Sequence, residues 1–322
     1  MPDPESYASA RVALIGAPTD VGAGRRGASM GPEALRVAGL DKGLRRLGRD
    51  VVDRGNVTGP GNPEQPSVAG GYRHLPEVVA WCSSVRDAVY SSLCAGETPI
   101  LMGGDHSLAI GSVAAVARYC AERQRPLAVL WFDAHADFNI ASSSPSGNIH
   151  GMPASVIAGH GPAELLGLCA AVPLVPANRI VQVGVRSVDA VEKKLVVDSG
   201  VVVYDMRRID ELGMRVIIEQ ALKHVAERDV HLHVSFDIDF LDPSIAPGVP
   251  STVPGGPTYR EAQLAMEMIY DSGLMRSLDI VELNPAYDEG NRTAELAVEL
   301  VESLFGQQIL ARAGGAPGRY TL

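Results

Sequence analysis

The chain has 322 residues, 46% of them hydrophobic, and its 28 basic against 38 acidic side chains give a formal net charge of −10. This composition is typical of a globular protein and excludes collagen-like, coiled-coil and disordered classes. The acidic balance argues against nucleic acid as a main partner, and no apolar run approaches the roughly 18–20 residues that span a bilayer.

The first ten residues, MPDPESYASA, contain neither a basic nor an apolar stretch. We therefore expect no secretory signal and a cytoplasmic location. The four cysteines, Cys82, Cys94, Cys120 and Cys169, are far apart and form no C-x-x-C pair. This spacing argues against a thiolate zinc site and against a disulfide scaffold, so we expect buried free thiols.

Short apolar runs alternate with helix-length amphipathic stretches along the chain. The runs predicted as strands are 11–16, 50–55, 99–104, 127–133, 179–185, 201–205, 231–239 and 278–284. The stretches predicted as helices are 32–47, 76–94, 108–123, 208–228, 258–272 and 293–305. The runs are rich in Val, Ile and Leu without strict alternation, which is typical of parallel strands buried on both faces. We predict an α/β fold with helices on both faces of an open sheet, and a single domain over residues 1–322.

The first predicted strand is followed by a literal G-x-G-x-x-G, GAGRRG, at residues 22–27, and Asp53 ends the second strand. A dinucleotide site requires these glycines to form the turn between strand and helix. Here the strand ends near Gly16 and the helix begins near Pro32. We therefore favour a glycine-rich active-site loop that carries Arg25 and Arg26.

Acidic and imidazole side chains stand at the ends of three predicted strands. Asp133, His135 and Asp137 alternate in D-A-H-A-D, which predicts one shared face where the strand ends. Two further sets follow other strands: Asp237 with Asp239, and His106. Because the carboxyl ends of parallel strands lie along one edge of a sheet, we expect these side chains to converge there. Taken singly, each motif could instead be a surface turn or a loop residue.

Four converging aspartates would repel one another unless positive charge compensates them. Two divalent cations supply that charge. Carboxylate oxygens with neutral imidazole, and no thiolate, suit Mn²⁺ better than zinc or copper. Two such ions can share a water and lower its pKa, which yields hydroxide near neutral pH.

With these motifs the chain resembles the ureohydrolases, the arginase and agmatinase family, and most closely the arginases. The resemblance covers nearly the whole chain and rests on segments 15–40, 103–112, 132–153, 235–248 and 281–297, which include GGDHSLAIGS, FDAHADFN, SFDIDFLDPSIAPG and VELNPAYDEGNRTAELA. It implies a three-layer α-β-α sandwich around a mainly parallel sheet of about eight strands. It also implies two Mn²⁺ ions. The first would be held by His106, Asp133, Asp137 and Asp237, and the second by His135, Asp133, Asp237 and Asp239.

The resemblance assigns roles to further residues. It implies His150, Glu282 and Asp137 as catalytic residues, with His150 shuttling a proton to the leaving amine and Glu282 receiving the guanidinium. The contacts it implies to the α-carboxylate and α-amine of the substrate are Asn139, Ser146, Asn148, Asp189 and Glu192. Alternatives remain: a solvated His150, an internal salt bridge at Glu282, and a capped helix start at Asp189 and Glu192.

The reaction that the resemblance implies is hydrolysis of L-arginine to L-ornithine and urea by a hydroxide that bridges the two ions. Pro250 and Ser251 stand where arginases usually carry Gly-Thr, so the loop beside the substrate is expected to differ. Agmatine or a guanidino acid is therefore an alternative substrate. A zinc deacetylase-like enzyme and a non-catalytic metal-binding protein are further alternatives. We expect a homotrimer or homohexamer, with no nucleic acid or membrane partner.

Overall fold

The computed structural model describes residues 10–63, 68–169 and 171–310. The N-terminal stretch in which we expect no secretory signal lies outside them, apart from Ala10. Within the described ranges, no helix is both long enough and apolar enough to cross a membrane.

Eight parallel strands form one sheet, as the α/β prediction requires. In chain order they are β1 (Val12–Gly16), β2 (Val51–Asn56), β5 (Thr98–Met102), β6 (Leu127–Phe132), β7 (Ile180–Val185), β8 (Val202–Asp205), β9 (His231–Asp237) and β10 (Met275–Val281). A separate antiparallel hairpin, not predicted from the sequence, consists of β3 (Val68–Ala69) and β4 (Tyr72–Arg73). Across the sheet the order is β2-β1-β5-β10-β9-β6-β7-β8. The last strand of the chain, β10, therefore lies in the middle of the sheet.

Helices cover both faces of the sheet, which confirms the three-layer architecture. Alternate strand residues point to opposite faces, so Leu130 and Phe132 join one hydrophobic core while Val129 and Trp131 join the other. Within the described part of the chain, six helices pack on the first core: α1 (Gly31–Val37), α2 (Leu40–Arg46), α8 (Met206–Leu212), α9 (Met214–Val225), α10 (Tyr259–Ser272) and α11 (Arg292–Leu304). Five pack on the second: α3 (Leu75–Cys94), α4 (Ala109–Glu122), α5 (Pro153–Ile157), α6 (Ala163–Leu166) and α7 (Glu192–Ser199).

Two of the predicted helices are each divided in two by a glycine. The stretch 32–47 breaks at Gly39, where φ is 88°, and the stretch 208–228 breaks at Gly213, where φ is 82°. A residue with a positive φ cannot continue a right-handed helix, and glycine adopts a positive φ without a steric penalty. The apolar period runs through both breaks, which is why the sequence pattern predicts continuous helices there.

All four cysteines are free thiols, as expected from their spacing. Cys82 and Cys120 are buried, and Cys169 is partly buried. The expectation of burial is wrong for Cys94, which is exposed because it ends helix α3 on the solvent side.

Candidate functional site

The candidate site begins where β6 ends. Asp133 follows the strand and is fully buried. Its carboxylate accepts a hydrogen bond from the Trp131 indole at 2.9 Å and another from the His135 backbone N–H at 2.6 Å. The chain does not continue straight, as the alternation in D-A-H-A-D predicts, because Asp137 has a φ of 50°. This turn brings Asp137 back beside Asp133 instead of extending away from it.

The second pair of aspartates lies at the end of β9. Asp237 is the last residue of the strand, and Asp239 lies in a 3₁₀ turn, Ile238–Phe240, rather than in the predicted strand. The Asp237 carboxylate caps this turn by accepting the Asp239 backbone N–H at 2.7 Å. Asp239 Oδ2 lies 3.0 Å from His135 Nδ1, so the turn directs it toward the loop after β6.

His106 lies in a 3₁₀ turn after β5 and joins the two sets of carboxylates. Its Nδ1 is 3.2 Å from Asp133, 3.1 Å from Asp137 and 3.0 Å from Asp237. Its Nε2 is 2.9 Å from the Ser235 hydroxyl, and its ring stacks on Trp131 at 4.2 Å between centroids. These contacts hold the imidazole in one orientation with Nδ1 toward the carboxylates.

The candidate ligand atoms form two groups whose members lie within 4.8 Å of one another. One group is His106, Asp133 and Asp137, and the other is Asp133, His135 and Asp239. Asp133 belongs to both groups, and Asp237 contacts the first through His106. Hard oxygen donors with imidazole nitrogen, and no thiolate, fit divalent cations of the Mn²⁺ type. The described residues therefore fit two adjacent cations that share a carboxylate.

The electrostatics of the cluster indicate that it lacks positive charge. Burial and the charge of Asp133 raise the pKa of Asp137 to about 7. Burial and the charge of Asp239 likewise raise the pKa of Asp237 well above its ordinary value. Burial disfavours charged His135, but the Asp239 and Asp133 carboxylates outweigh it and raise the pKa of the imidazole. In a cation site without its ion, the carboxylates retain protons and the imidazoles gain them, because these protons take the place of the positive charge of the cation. The shifts in this cluster follow that pattern.

Glu282 and His150 form a pair beside the cluster. Glu282 is 2% exposed and has a φ of 61°, and its Oε1 accepts the His106 backbone N–H at 2.8 Å. The same oxygen lies 3.0 Å from His150 Nδ1. Burial disfavours charged His150, but the Glu282 carboxylate outweighs it and raises the pKa of His150 to about 9. The other oxygen of Glu282, Oε2, is buried and has no hydrogen-bond partner among the described residues.

One cavity, of about 170 Å³, brings these residues together with the predicted substrate contacts. Its lining contains every substrate candidate from the sequence, namely Asn139, Ser146, Asn148, Asp189, Glu192 and Glu282. His135, Asp137, Asp237, Asp239 and His150 line it as well. Asp133 and His106 lie behind this wall in the buried cluster.

Several of the substrate candidates already have partners within the protein. Asn139 donates its amide to Asp189 at 3.0 Å, so this donor is not directed solely at a ligand. Glu192 accepts the backbone N–H of Phe138 at 2.7 Å and that of Asp189 at 3.0 Å. Both carboxylate oxygens of Glu192 therefore hold the loop to the start of helix α7, which favours the capping alternative for this residue.

The structure adds lining residues that the sequence reasoning did not select. Ser144, Pro145 and Ser187 contribute to the cavity wall. Ser187 forms an isolated bridge with His135, so it lies where the chain after β7 runs past the loop that carries His135. Its place after the predicted strand 179–185, two residues before Asp189, is the signal that could have identified it.

The glycine-rich segment lies at this same edge of the sheet. Gly22 accepts the His150 backbone N–H at 3.1 Å, and its own N–H donates to Asp105 at 2.9 Å. Arg25 donates to the Pro250 carbonyl at 2.6 Å, and Arg26 pairs with Asp20 at 2.9 Å. Strand β1 ends at Gly16 and α1 begins at Gly31, so the glycines do not form a strand-to-helix turn.

Known proteins are similar to this chain over nearly all of its length. A model of the arginase family matches residues 10–306. The chain is 44% identical over 299 residues to the arginase of Brucella melitensis, which spans 93% of this chain and 97% of that protein. The solved structure of arginase from Bacillus caldovelox is similar with a TM-score of 0.89 and 40% identity, covering 94% of this chain and all of the other (100%). Proclavaminate amidino hydrolase from Streptomyces clavuligerus is more distant, with a TM-score of 0.69, 28% identity, and coverage of 92% and 91%.

Proposed function

The chain belongs to the arginase family and is a ureohydrolase, and from this premise we propose that it hydrolyses L-arginine to L-ornithine and urea with two Mn²⁺ ions. The relatives of highest identity quoted above are named arginases. The observation that carries the proposal is the unpartnered, buried Oε2 of Glu282 on a cavity lined also by the metal-ligand carboxylates. A buried carboxylate oxygen without a partner is costly unless a cation binds it.

The proposed ligand sets follow the geometry of the cluster. His106, Asp133, Asp137 and Asp237 would hold one ion, and His135, Asp133, Asp237 and Asp239 would hold the other. Support comes from the two groups of ligand atoms that share Asp133. When bound, the ions would offset the carboxylate charge and lower the pKa of water, so that hydroxide is available near neutral pH.

Glu282 would bind and orient the guanidinium. Its Oε1 is fixed by the His106 N–H and His150, which leaves Oε2 to accept from the substrate. A charge-assisted hydrogen bond to this buried oxygen would fix the plane of the guanidinium and therefore the face open to attack. Asp137 lines the cavity, and its carboxylate would take up a proton as the attacking water loses one.

His150 would supply the proton that the leaving amine needs. With its pKa raised to about 9, the imidazole carries a proton at neutral pH. Glu282 holds Nδ1, so Nε2 is the other position from which a proton can pass to the departing nitrogen. Expulsion of the neutral amine of ornithine then leaves urea.

The remaining candidates would select the amino-acid end of the substrate. Asp189 offers a carboxylate to the α-amine, while Ser146 and Asn148 offer neutral donors to the α-carboxylate. Asn139 would act by holding Asp189, and Glu192 by holding the loop. The homotrimer or homohexamer and the cytoplasmic location expected from the sequence stay predictions, as does the single domain.

The test is urea release by the purified, Mn²⁺-loaded protein from arginine, agmatine and 4-guanidinobutyrate side by side. We expect arginine to give the highest kcat/KM, with ornithine formed in equal amount to urea. The Asp133→Ala variant, purified in parallel, controls for a contaminating host enzyme and is expected to release none. A preference for agmatine or 4-guanidinobutyrate would show that arginine is the wrong substrate assignment. Absence of urea from all three compounds would refute the proposed reaction.

A further inference from the structure

The cavity is short of positive charge for a substrate that carries a carboxylate. Its described lining includes six carboxylate residues and neither lysine nor arginine. Two bound cations would offset charge in the cluster, but the amino-acid end of the substrate lies beyond them, near Ser146 and Asn148 under the proposed function. Neutral donors alone recognise a carboxylate less strongly than a guanidinium does.

The glycine-rich segment 20–27, which we call the mouth loop, runs between two loops of the cavity wall. Gly24 packs so closely on Asn148 that a Cβ at this position would lie 2.8 Å from the amide Nδ2. On its other side the mouth loop reaches Pro250, the residue before Ser251, and Ser251 lines the cavity. The mouth loop therefore touches the wall on both sides.

The mouth loop is held in place by buried acceptors. Asp20 is 1% exposed and accepts the Gly27 N–H at 2.7 Å and the Arg26 guanidinium at 2.9 Å. Asp105 accepts the Gly22 N–H at 2.9 Å. With both ends fixed, the position of Arg25 is set by the backbone and by its bond to Pro250.

Arg25 combines an exposed side chain with one fixed anchor. Its NH1 donates to the Pro250 carbonyl at 2.6 Å, and a proline fixes the backbone that carries this carbonyl. A guanidinium has five N–H donors, so one bond to a carbonyl leaves donors available for a carboxylate. Arg26, next to it, is instead turned away to Asp20.

We propose that Arg25 is a specificity-determining residue that binds the carboxylate end of the substrate at the mouth of the cavity. The proposal rests on the proposed function, because it assigns to that same cavity a preference for guanidino compounds with a carboxylate. Arg25 would supply the positive charge that the lining lacks, beside the neutral donors of Asn148 and Ser251. Agmatine, which has no carboxylate, would gain nothing from it.

A merely structural role for Arg25 makes a different prediction. If Arg25 only holds the Pro250 carbonyl, loss of its side chain would disturb Ser251 and weaken the binding of every ligand to the same extent. If Arg25 binds the carboxylate directly, loss of its side chain weakens the binding only of ligands that have a carboxylate. The two roles are therefore separated by comparing ligand pairs that differ in this one group.

The experiment measures binding and turnover on the Mn²⁺-loaded wild type and on Arg25→Met, Arg25→Lys and Arg11→Met. Binding of L-ornithine and of putrescine, which lacks the carboxylate, is measured by calorimetry and needs no catalysis. Arg11 is the matched control because it is also an exposed arginine that donates to one acceptor, Asp50. It precedes β1 and therefore lies at the amino ends of the strands, whereas the cavity lies at their carboxyl ends.

We expect Arg25→Met to weaken L-ornithine binding about tenfold, the size of one partly exposed charge-assisted contact, and to leave putrescine binding unchanged. Arg25→Lys should retain part of the preference, and Arg11→Met all of it. In turnover, kcat/KM should fall for arginine and 4-guanidinobutyrate but not for agmatine. Equal losses on both members of each pair, or none, would overturn the proposal. Absence of urea release by the wild type would refute the proposed function instead, and the binding comparison would still decide the role of Arg25.

Discussion

At the scale of single residues, Glu282 shows how a buried charge identifies a function. A glutamate within an apolar run is unusual, and the sequence alone left open whether a substrate or an internal salt bridge compensates it. The structure separates the two oxygens of this carboxylate: Oε1 is bound by His106 and His150, and Oε2 has no partner among the described residues. No pattern in the sequence could have divided the two oxygens, because His150 is 132 residues away along the chain.

Replacing Glu282 with glutamine tests its role in binding the guanidinium. The variant keeps the shape of the side chain but removes the charge, so we expect kcat/KM for arginine to fall by about 10²-fold or more while bound Mn²⁺ is retained. Urea release and metal analysis measure the two effects. Glu302→Gln is the matched control, since Glu302 is also buried but pairs with Arg46, far from the cavity. Activity close to the wild type in Glu282→Gln would contradict the assignment.

His150→Asn tests the proton donor. Asparagine can occupy the space and accept a hydrogen bond but cannot carry a proton, so we expect kcat to fall by about 10²- to 10⁴-fold. Both metals should remain, because His150 contacts Glu282 and belongs to neither ligand group. Partial recovery of turnover with added imidazole would support the role. Loss of both ions from this variant would mean that His150 is a structural support of the cluster.

At the scale of elements, the strands are closer to the sequence prediction than the helices are. All eight predicted runs form strands, with ends shifted by a few residues, because their composition reflects burial on both faces. The helix prediction failed at Gly39 and Gly213, where the apolar period continues but the backbone does not. Short helices such as α6 were not predicted, because a single turn of helix has too little period to detect.

The break at Gly213 can be tested by substitution. Alanine at this position would have to adopt a φ of 82°, so we expect Gly213→Ala to lower the free energy of unfolding by about 1–2 kcal/mol. Denaturant unfolding measures it. Gly61→Ala is the control, because Gly61 has open space around its Cβ position and no left-handed backbone. A variant at Gly213 as stable as the wild type would show that the two helix segments tolerate a continuous geometry.

At the scale of the whole molecule, the site depends on the order of strands in the sheet. His106, Glu282 and Asp133 follow β5, β10 and β6, and Asp237 is the last residue of β9. These four strands are consecutive neighbours in the sheet. The sequence predicts that carboxyl ends meet at one edge, but it does not say that β10 enters between β5 and β9. That order depends on how the helices on the two faces pack, which is a property of the complete fold.

The same central strands carry a buried histidine that links stability to pH. His231 is 1% exposed on β9, with Nε2 at 2.9 Å from Ser277 and Nδ1 unpartnered among the described residues. Burial and the neighbouring His233 hold the pKa of His231 well below its ordinary value. The unfolded chain therefore takes up a proton that the folded chain refuses, and this contribution to stability is lost as the pH falls below about 6.5.

His231→Phe is expected to remove this dependence. Between pH 6.5 and 5 the free energy of unfolding of the wild type should fall relative to the variant by up to about 1.4 kcal/mol per pH unit. The comparison is made by denaturant unfolding of metal-free protein, so that release of Mn²⁺ does not contribute. Parallel curves for the two proteins over this range would contradict the assignment.

The central claim is that two cations share Asp133 within this cluster. Electron paramagnetic resonance of the protein with two equivalents of Mn²⁺ tests it most directly, because adjacent ions couple magnetically and isolated ions do not. We predict a spin-coupled signal in the wild type that disappears, together with urea release, in Asp133→Ala. A signal of isolated Mn²⁺ in a wild-type protein that releases urea at its full rate would contradict the account.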